Sequence, residues 1–140
     1  MAARGAGLAA YAPVALLIVR IVVALMFLEH GLSRLFGFPS PLPTPALFSM
    51  YWFAGAIELT GGILLLLGLF TRIAALIMSG EMAAAYFISH APHSFFPILN
   101  RGDGAILYCF VFFYIVFAGP GPWSLDALIW RPRSKTDLPE

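Results

Sequence analysis

Charged side chains are scarce in this sequence, at 11% of residues against about 25% in a soluble domain. A chain this poor in charge and 61% hydrophobic cannot dress a surface for water, so its solvent is mostly lipid. Basic runs are missing too: the formal net charge is +1, and no Lys/Arg cluster alternates with aromatics as a nucleic-acid groove requires. Nucleic acid is excluded as a partner. Cysteine occurs once, at Cys109, which rules out an intramolecular disulfide and a Cys-x-x-Cys redox pair. Thiol–disulfide exchange would need a second protein. Spare length is lacking as well, because spans of about 20 residues with short links use nearly all of the 140 residues. No appended soluble catalytic domain is expected, and any chemistry must sit inside the membrane bundle or at its rim.

What the chain has instead is long apolar runs. The first is expected from Val14 to Phe36, behind Pro13, whose missing N–H costs nothing at a helix entry, and it stops at Gly37. It is too long for a signal-peptide core and reads as an uncleaved first span. Pro39, Pro41, Pro43 and Pro45 then forbid regular helix and make a stiff external link. A second span is expected over Ala46–Phe70 and a third over Thr71–His90, with Thr71-Arg72 at the turn between them. A loop carrying His90, Pro92, His93, Asn100, Arg101 and Asp103 leads to a short fourth span, Gly104–Ala118, which Gly119-Pro120-Gly121-Pro122 stops. Trp123 and Trp130 suit a segment at headgroup level, where indole rings prefer to sit. The fold class that follows is all-α: a polytopic membrane protein, a bundle of four transmembrane helices with short loops. Its organisation is a cytoplasmic N-terminus over 1–13, the membrane domain over 14–127 and a polar cytoplasmic tail over 128–140. Arg4, Arg72, Arg131, Arg133 and Lys135 fall at one face of the membrane against Arg34 and Arg101 at the other, so both termini and the Thr71 turn are expected in the cytoplasm.

Ionisable groups within a span cost roughly 2.5 to 3.5 kcal/mol each and should face one another rather than lipid. At about 100° per residue, Arg20, Ala24, Phe27, Gly31 and Arg34 share one face of the first span, with His30 at its flank and Glu29 pointing away. Glu58 lies near the middle of the second span among Tyr51, Ala54, Gly55, Gly61 and Gly62, small residues that let helices approach closely. Glu81 sits at mid-depth in the third. Counting rise from the cytoplasmic ends leaves a gap that an arginine side chain closes, which predicts an Arg20–Glu81 pair with Glu58 beside it. His30, Arg34, His90, His93, Asn100, Arg101 and Asp103 gather in the outer half, and Asp103, Leu107, Phe110, Tyr114 and Phe117 form one stripe of the fourth span. An outer pocket walled by aromatics and rimmed by these polar groups is the geometric expectation. His90 and His93 are of a metal-ligating type, but Pro92 breaks the helix between them and no third ligand falls at a ligand spacing, so no metal site is expected.

The order and spacing of several motifs carry a family pattern. Arg20 ahead of Glu29-His30-Gly31-x-x-Arg34-Leu35-Phe36-Gly37, then Glu58-Leu59-Thr60-Gly61-Gly62, then Gly68-Leu69-Phe70-Thr71-Arg72, resembles the DoxX family of small bacterial membrane proteins. So do Asn100-Arg101-Gly102-Asp103 and the tail Gly119-Pro120-Gly121-Pro122-Trp123-Ser124-Leu125-Asp126. Arg34 stands where the family usually has lysine and Asp103 where it often has glutamate, and both keep the charge. The resemblance implies a four-helix membrane fold and an association with quinone-linked oxidation of sulfur compounds or with respiratory redox complexes.

Two readings of the buried charges follow. In the plain one, Arg20, Glu58 and Glu81 hold helix register in a scaffold or assembly factor for a partner protein. In the sharper one, the chain is a membrane subunit that exchanges electrons with quinone, its only cofactor, beside a soluble or membrane redox partner. Quinone reduction takes up protons with electrons, so titratable groups must stand at the carbonyl oxygens of a ring held in an apolar slot. Arg20, His30, Arg34, Glu58, Glu81, Asn100, Asp103 and Tyr114 are the residues of the right types. A third reading, a transporter of protons or small solutes, needs water at Glu58 and Glu81 and favours a homo-oligomer.

Overall fold

The computed structural model describes residues 6–41 and 43–130. Arg4, Arg131, Arg133, Lys135 and most of the expected polar tail lie outside them. The described residues form α1 (Ala6–Ala9), α2 (Ala12–Phe36), α3 (Met50–Leu67), α4 (Thr71–Ala85) running into a π-helical turn (Tyr86–His90), α5 (Pro97–Asn100), α6 (Asp103–Ala118) and α7 (Leu125–Ile129). Among these residues there is no strand. The fold is an all-helical membrane bundle. α2, α3 and α4 with its π turn are long and apolar enough to cross a bilayer, and α6 is a shorter apolar helix beside them. The expected spans hold to within a few residues.

Local chemistry sets the helix ends. α2 begins with Pro13 in its first turn and stops at Gly37, whose φ of 69° gives a left-handed cap in which Gly37 N–H bonds Ser33 O and Phe38 N–H bonds Leu32 O. α3 starts at Met50, later than the expected Ala46. The chain turns first, with Ser49 N–H bonded to Ala46 O, and the Ser49 hydroxyl then accepts from Trp52 N–H as the N-cap. It also stops earlier than expected, at the left-handed Gly68, where Leu69 N–H bonds Leu64 O. α4 has no cap of its own, and Asp126 supplies one from the far end of the chain. Its two carboxylate oxygens accept from Phe70 N–H at 2.8 Å and Thr71 N–H at 2.9 Å.

Around the bundle α2 packs on α3, α3 on α4, α4 on α6, and α6 returns to α2, with the α2–α3 and α4–α6 pairs the more extensive. Small residues set the first pair. A Cβ on Gly31 would lie 2.6 Å from the backbone nitrogen of Leu59, and one on Gly62 would lie 3.1 Å from Ala24 O, so the two backbones touch where the sequence placed close contact. In the second pair Ala74, Ala75, Met78 and Met82 meet Ala105, Phe112 and Ile115 in the core. Ser79 Oγ donates to Cys109 O at 2.9 Å across that contact, and Cys109 is a packing residue there.

The expected Arg20–Glu81 pair does not form. Arg20 is 2% exposed and turns towards the α3–α4 turn, where Nη2 donates to Trp123 O at 2.6 Å and Nη1 donates to Pro120 O. The reason lies in the non-helical stretch after α6. It leaves carbonyls without intrahelical donors, and a guanidinium with five N–H groups is the donor best able to satisfy them inside a membrane bundle. Arg72 does the same for Val116 O and, at 3.0 Å, Phe117 O at the end of α6. The supposed seam of Arg20, Glu58 and Glu81 is therefore two separate features at opposite ends of the bundle.

Candidate functional site

At the end of the bundle that carries the proline link, a cavity of about 660 Å³ lies among α2, α3, α4 and α6. Pockets of about 300 to 1,000 Å³ hold small organic ligands. Its walls are mainly apolar and aromatic, with Phe27, Tyr51, Phe53, Ile57, Met82 and Ile88 prominent. Several lining residues of α3, α4 and the π turn, among them Met50, Phe53, Ile77 and Ile88, remain about half exposed, so the cavity opens beside them at the apolar outer surface of the bundle.

One ion pair crosses it. Arg34 Nε and Nη2 donate to Glu58 Oε2 and Oε1, both at 3.0 Å, a bidentate fork that joins α2 to α3. Glu58 is 1% exposed and the Arg34 side chain 29%, so the carboxylate is sealed while the guanidinium borders the opening. Gly55 makes the arrangement fit: a Cβ there would approach Leu35 Cγ to 2.9 Å and Arg34 Cδ to 3.1 Å. The Tyr51 ring stands 5.8 Å from the guanidinium carbon and adds a cation–π contact. Glu81 faces the same cavity from α4 without a hydrogen-bond partner among the described residues, and its Oε2 is buried.

His30 reaches the cavity from the flank of α2, as its angular position predicted. Its Nδ1 lies 2.7 Å from Met26 O, so Nδ1–H donates along the helix and Nε2 is left for other partners. The ring lies edge-on to Tyr108, whose hydroxyl is buried and has no hydrogen-bond partner among the described residues. His90, in the π turn, bonds Asn100 O through Nδ1 at 3.0 Å and lines the mouth with Arg101.

Of the residues the sequence selected, His30, Arg34, Glu58 and Glu81 converge on this cavity, and Arg20, Asn100, Asp103 and Tyr114 do not. Asn100 is buried but spent on its own loop: Nδ2 donates to Ser94 O at 2.8 Å and Oδ1 accepts from Gly102 N–H at 2.7 Å. Asp103 is exposed at the start of α6. The stripe Leu107, Phe110, Tyr114 and Phe117 exists, yet it is the outward one, with Tyr114 61% exposed. Sequence reasoning missed Tyr108. α6 is apolar on every side, so periodicity marks no inner face; the available signal was Ala105, Tyr108, Phe112 and Ile115 at helical spacing, small at one end and with a single polar tip.

The DoxX family model matches residues 15–91, the stretch that supplies α2, α3, α4 and every carboxylate of the cavity. A protein of Haemophilus influenzae described as uncharacterized is 48% identical over 122 residues, covering 83% of this chain and 91% of its own. A Mycobacterium tuberculosis protein described as an uncharacterized membrane protein is 30% identical over 134 residues, covering 81% of this chain and 80% of its own. No solved structure matches significantly. With the family model spanning more than half of the chain and these relatives most of it, the protein belongs to the DoxX family.

Proposed function

We propose that this chain is a membrane subunit of a quinone-linked redox system and that its cavity receives the quinone ring. The supporting observation is the cavity itself: an apolar, partly aromatic slot open to the bilayer, with an Arg34–Glu58 pair, a second carboxyl at Glu81 and the His30 and Tyr108 rings at its wall. An isoprenoid quinone lives among acyl chains, and a lateral opening admits it without passage through water. The ring needs flat apolar walls, and its oxygens need hydrogen-bonding groups, which this wall carries on α2, α4 and α6. The bound quinone would supply the electron chemistry. The residues would hold the ring, exclude water and offer proton-exchanging groups at its oxygens. Having no redox motif of its own, the chain acts beside a partner that delivers or removes electrons. In the same proposal the protein is a multi-pass component of the bacterial inner membrane, with the α3–α4 turn at the cytoplasmic face.

The test is purification in mild detergent and assay of the extract for quinone, in wild type, Glu58→Gln and His30→Ala. Among the described residues His30 makes no tertiary hydrogen bond, so its loss separates binding from folding. A stoichiometric quinone that is lost in both variants is the expected result. If no quinone is present and added quinone neither binds nor raises the unfolding temperature, the proposal fails and a scaffold for a partner protein becomes the better reading.

A further inference from the structure

Glu29 is a carboxylate that neither the cavity nor the fold employs. With His30 beside it, it is exposed on the outward side of α2, and it makes no ion pair among the described residues. Its depth makes that position costly. A Cβ on Gly62 would lie 3.1 Å from Leu28 N, so Leu28 is level with Gly62. Gly62 stands twelve residues, about 18 Å, from the outer end of α3 and five residues, about 8 Å, from its inner end. Glu29 therefore projects from within the span, and its side chain is too short to carry the carboxyl to either headgroup layer. Ionisable groups at that depth are paired or turned towards protein, not left to acyl chains.

The face around Glu29 is built as a helix seam. Ala15, Val19, Val22 and Met26 recur at alternating intervals of four and three residues, the spacing at which two helices pack along their length, and all four are exposed. α3 is packed on the other side of α2, against Ala24, Leu28 and Gly31, so it leaves this face open. Exposed apolar side chains alone carry no message in a membrane. The message is in the two polar residues that flank the seam, Glu29 on one side and His30 on the other, about 100° apart around the helix.

A two-fold axis along the membrane normal satisfies both. Adjacent residues differ by only about 1.5 Å in height, so a second α2 lying parallel to the first brings Glu29 of each copy level with the partner's His30, once on each side of the seam. The contact holds in either charge state. His30 spends Nδ1 on Met26 O and keeps Nε2. A neutral Nε2 accepts from a protonated carboxyl, and a protonated imidazole donates to the carboxylate. An acyl chain offers Glu29 neither.

We infer that the protein is a two-fold dimer built on the outward face of α2, in which Glu29 of each copy hydrogen-bonds the partner's His30. His30 also lines the cavity, so the partner's Glu29 fixes the imidazole at the cavity wall and each cavity is completed by the other chain. The inference stands on the depth and self-complementarity of these two residues and does not depend on what the cavity binds.

The experiment is disulfide trapping in native membranes. In a Cys109→Ser background, Val22→Cys and Met26→Cys should each give a covalent dimer on mild oxidation. Ile73→Cys on α4 and Phe110→Cys on α6, at least as exposed but off the seam, should stay monomeric. Complementation then tests the pairing. Glu29→Ala and His30→Ala should each raise the dimer dissociation constant in detergent by at least about tenfold. Two differently tagged chains, one carrying each substitution, recover one Glu29–His30 contact when they meet and leave nothing unpaired opposite it. The mixed dimer should therefore predominate over both like pairs in a pull-down. Mixed and like pairs in the proportions of chance would overturn the Glu29–His30 contact. Absence of cross-linking at both seam positions, or equal cross-linking at Ile73→Cys, would overturn the dimer and assign this face to lipid or another protein. Either failure leaves the quinone proposal standing, because quinone content is measured separately.

Discussion

Glu58 is 1% exposed and commits both oxygens to Arg34, so each member of the pair exists at its depth only because the other does. Removing one partner of a buried pair costs about 3–5 kcal/mol, while removing both costs much less than twice that. Arg34→Leu and Glu58→Leu should therefore each lower the unfolding free energy in detergent by several kcal/mol, and the double variant should fall well short of their sum. An additive double variant would show that the two charges do not depend on each other. The sequence made both residues legible as buried charges, since charge within an apolar run must face the bundle. It did not show which charge meets which. Arg20 is nearer to Glu81 by axial counting, yet the free carbonyls of Pro120 and Trp123 claim it.

α2 and α3 stop where their own residues say so, and the start of α4 does not. Gly37, Ser49 and Gly68 cap α2 and α3 from within the local sequence. α4 begins behind Phe70 in a left-handed conformation (φ 48°) and depends on Asp126, a residue of the short α7 that is itself capped by Ser124 Oγ. Replacing a capping Asp by Ala costs about 0.5–2 kcal/mol. Asp126→Ala should produce a loss of that size and, more tellingly, should free the segment after α6, because the same carboxylate holds it against the α3–α4 turn. Hydrogen exchange is the measurement: amides of Phe70, Thr71 and the 119–130 segment should lose protection while those of α2 keep theirs. Unchanged exchange after the turn would mean that Arg20 and the Asp126 N–H bond to Gly68 O anchor the segment without the carboxylate. The motif Ser124-Leu125-Asp126 was visible in the sequence as part of the tail, but its purpose was not, because a cap delivered from 55 residues away has no local signature.

For the molecule as a whole, two extensive helix pairs, α2–α3 and α4–α6, leave a space among the four helices, and that space is the cavity. Its volume is open to test by filling. Ala54, on the α3 wall, carries no hydrogen bond from its side chain, and Ala54→Trp should occupy the slot, reduce quinone binding at least tenfold and leave the unfolding temperature within a few degrees of wild type. Undiminished binding in a folded Ala54→Trp protein would place the ligand elsewhere. Topology has its own test. In a Cys109→Ser background, His93→Cys should react with a membrane-impermeant maleimide in spheroplasts, and Trp130→Cys only after permeabilisation; the opposite pattern would invert the proposed orientation.

Composition and apolar periodicity by themselves determined that this chain lives in a membrane, that its apolar spans fall near 14–36, 46–70, 71–90 and 104–118, each within a few residues of a helix, and that Arg20, Glu58 and Glu81 turn inward. These follow from transfer free energies and helix geometry, which act locally and leave a mark at every residue. The tertiary structure alone decided that Arg34 and not Arg20 meets a glutamate, that Asp126 caps α4, that Tyr108 and not Tyr114 lines the cavity, and that Glu81 has no hydrogen-bond partner among the described residues. Each of these depends on how helices rotate and pair in three dimensions. In α6, apolar on every side, and in the carbonyls of a proline-broken tail, the deciding energies belong to contacts between segments far apart in the chain.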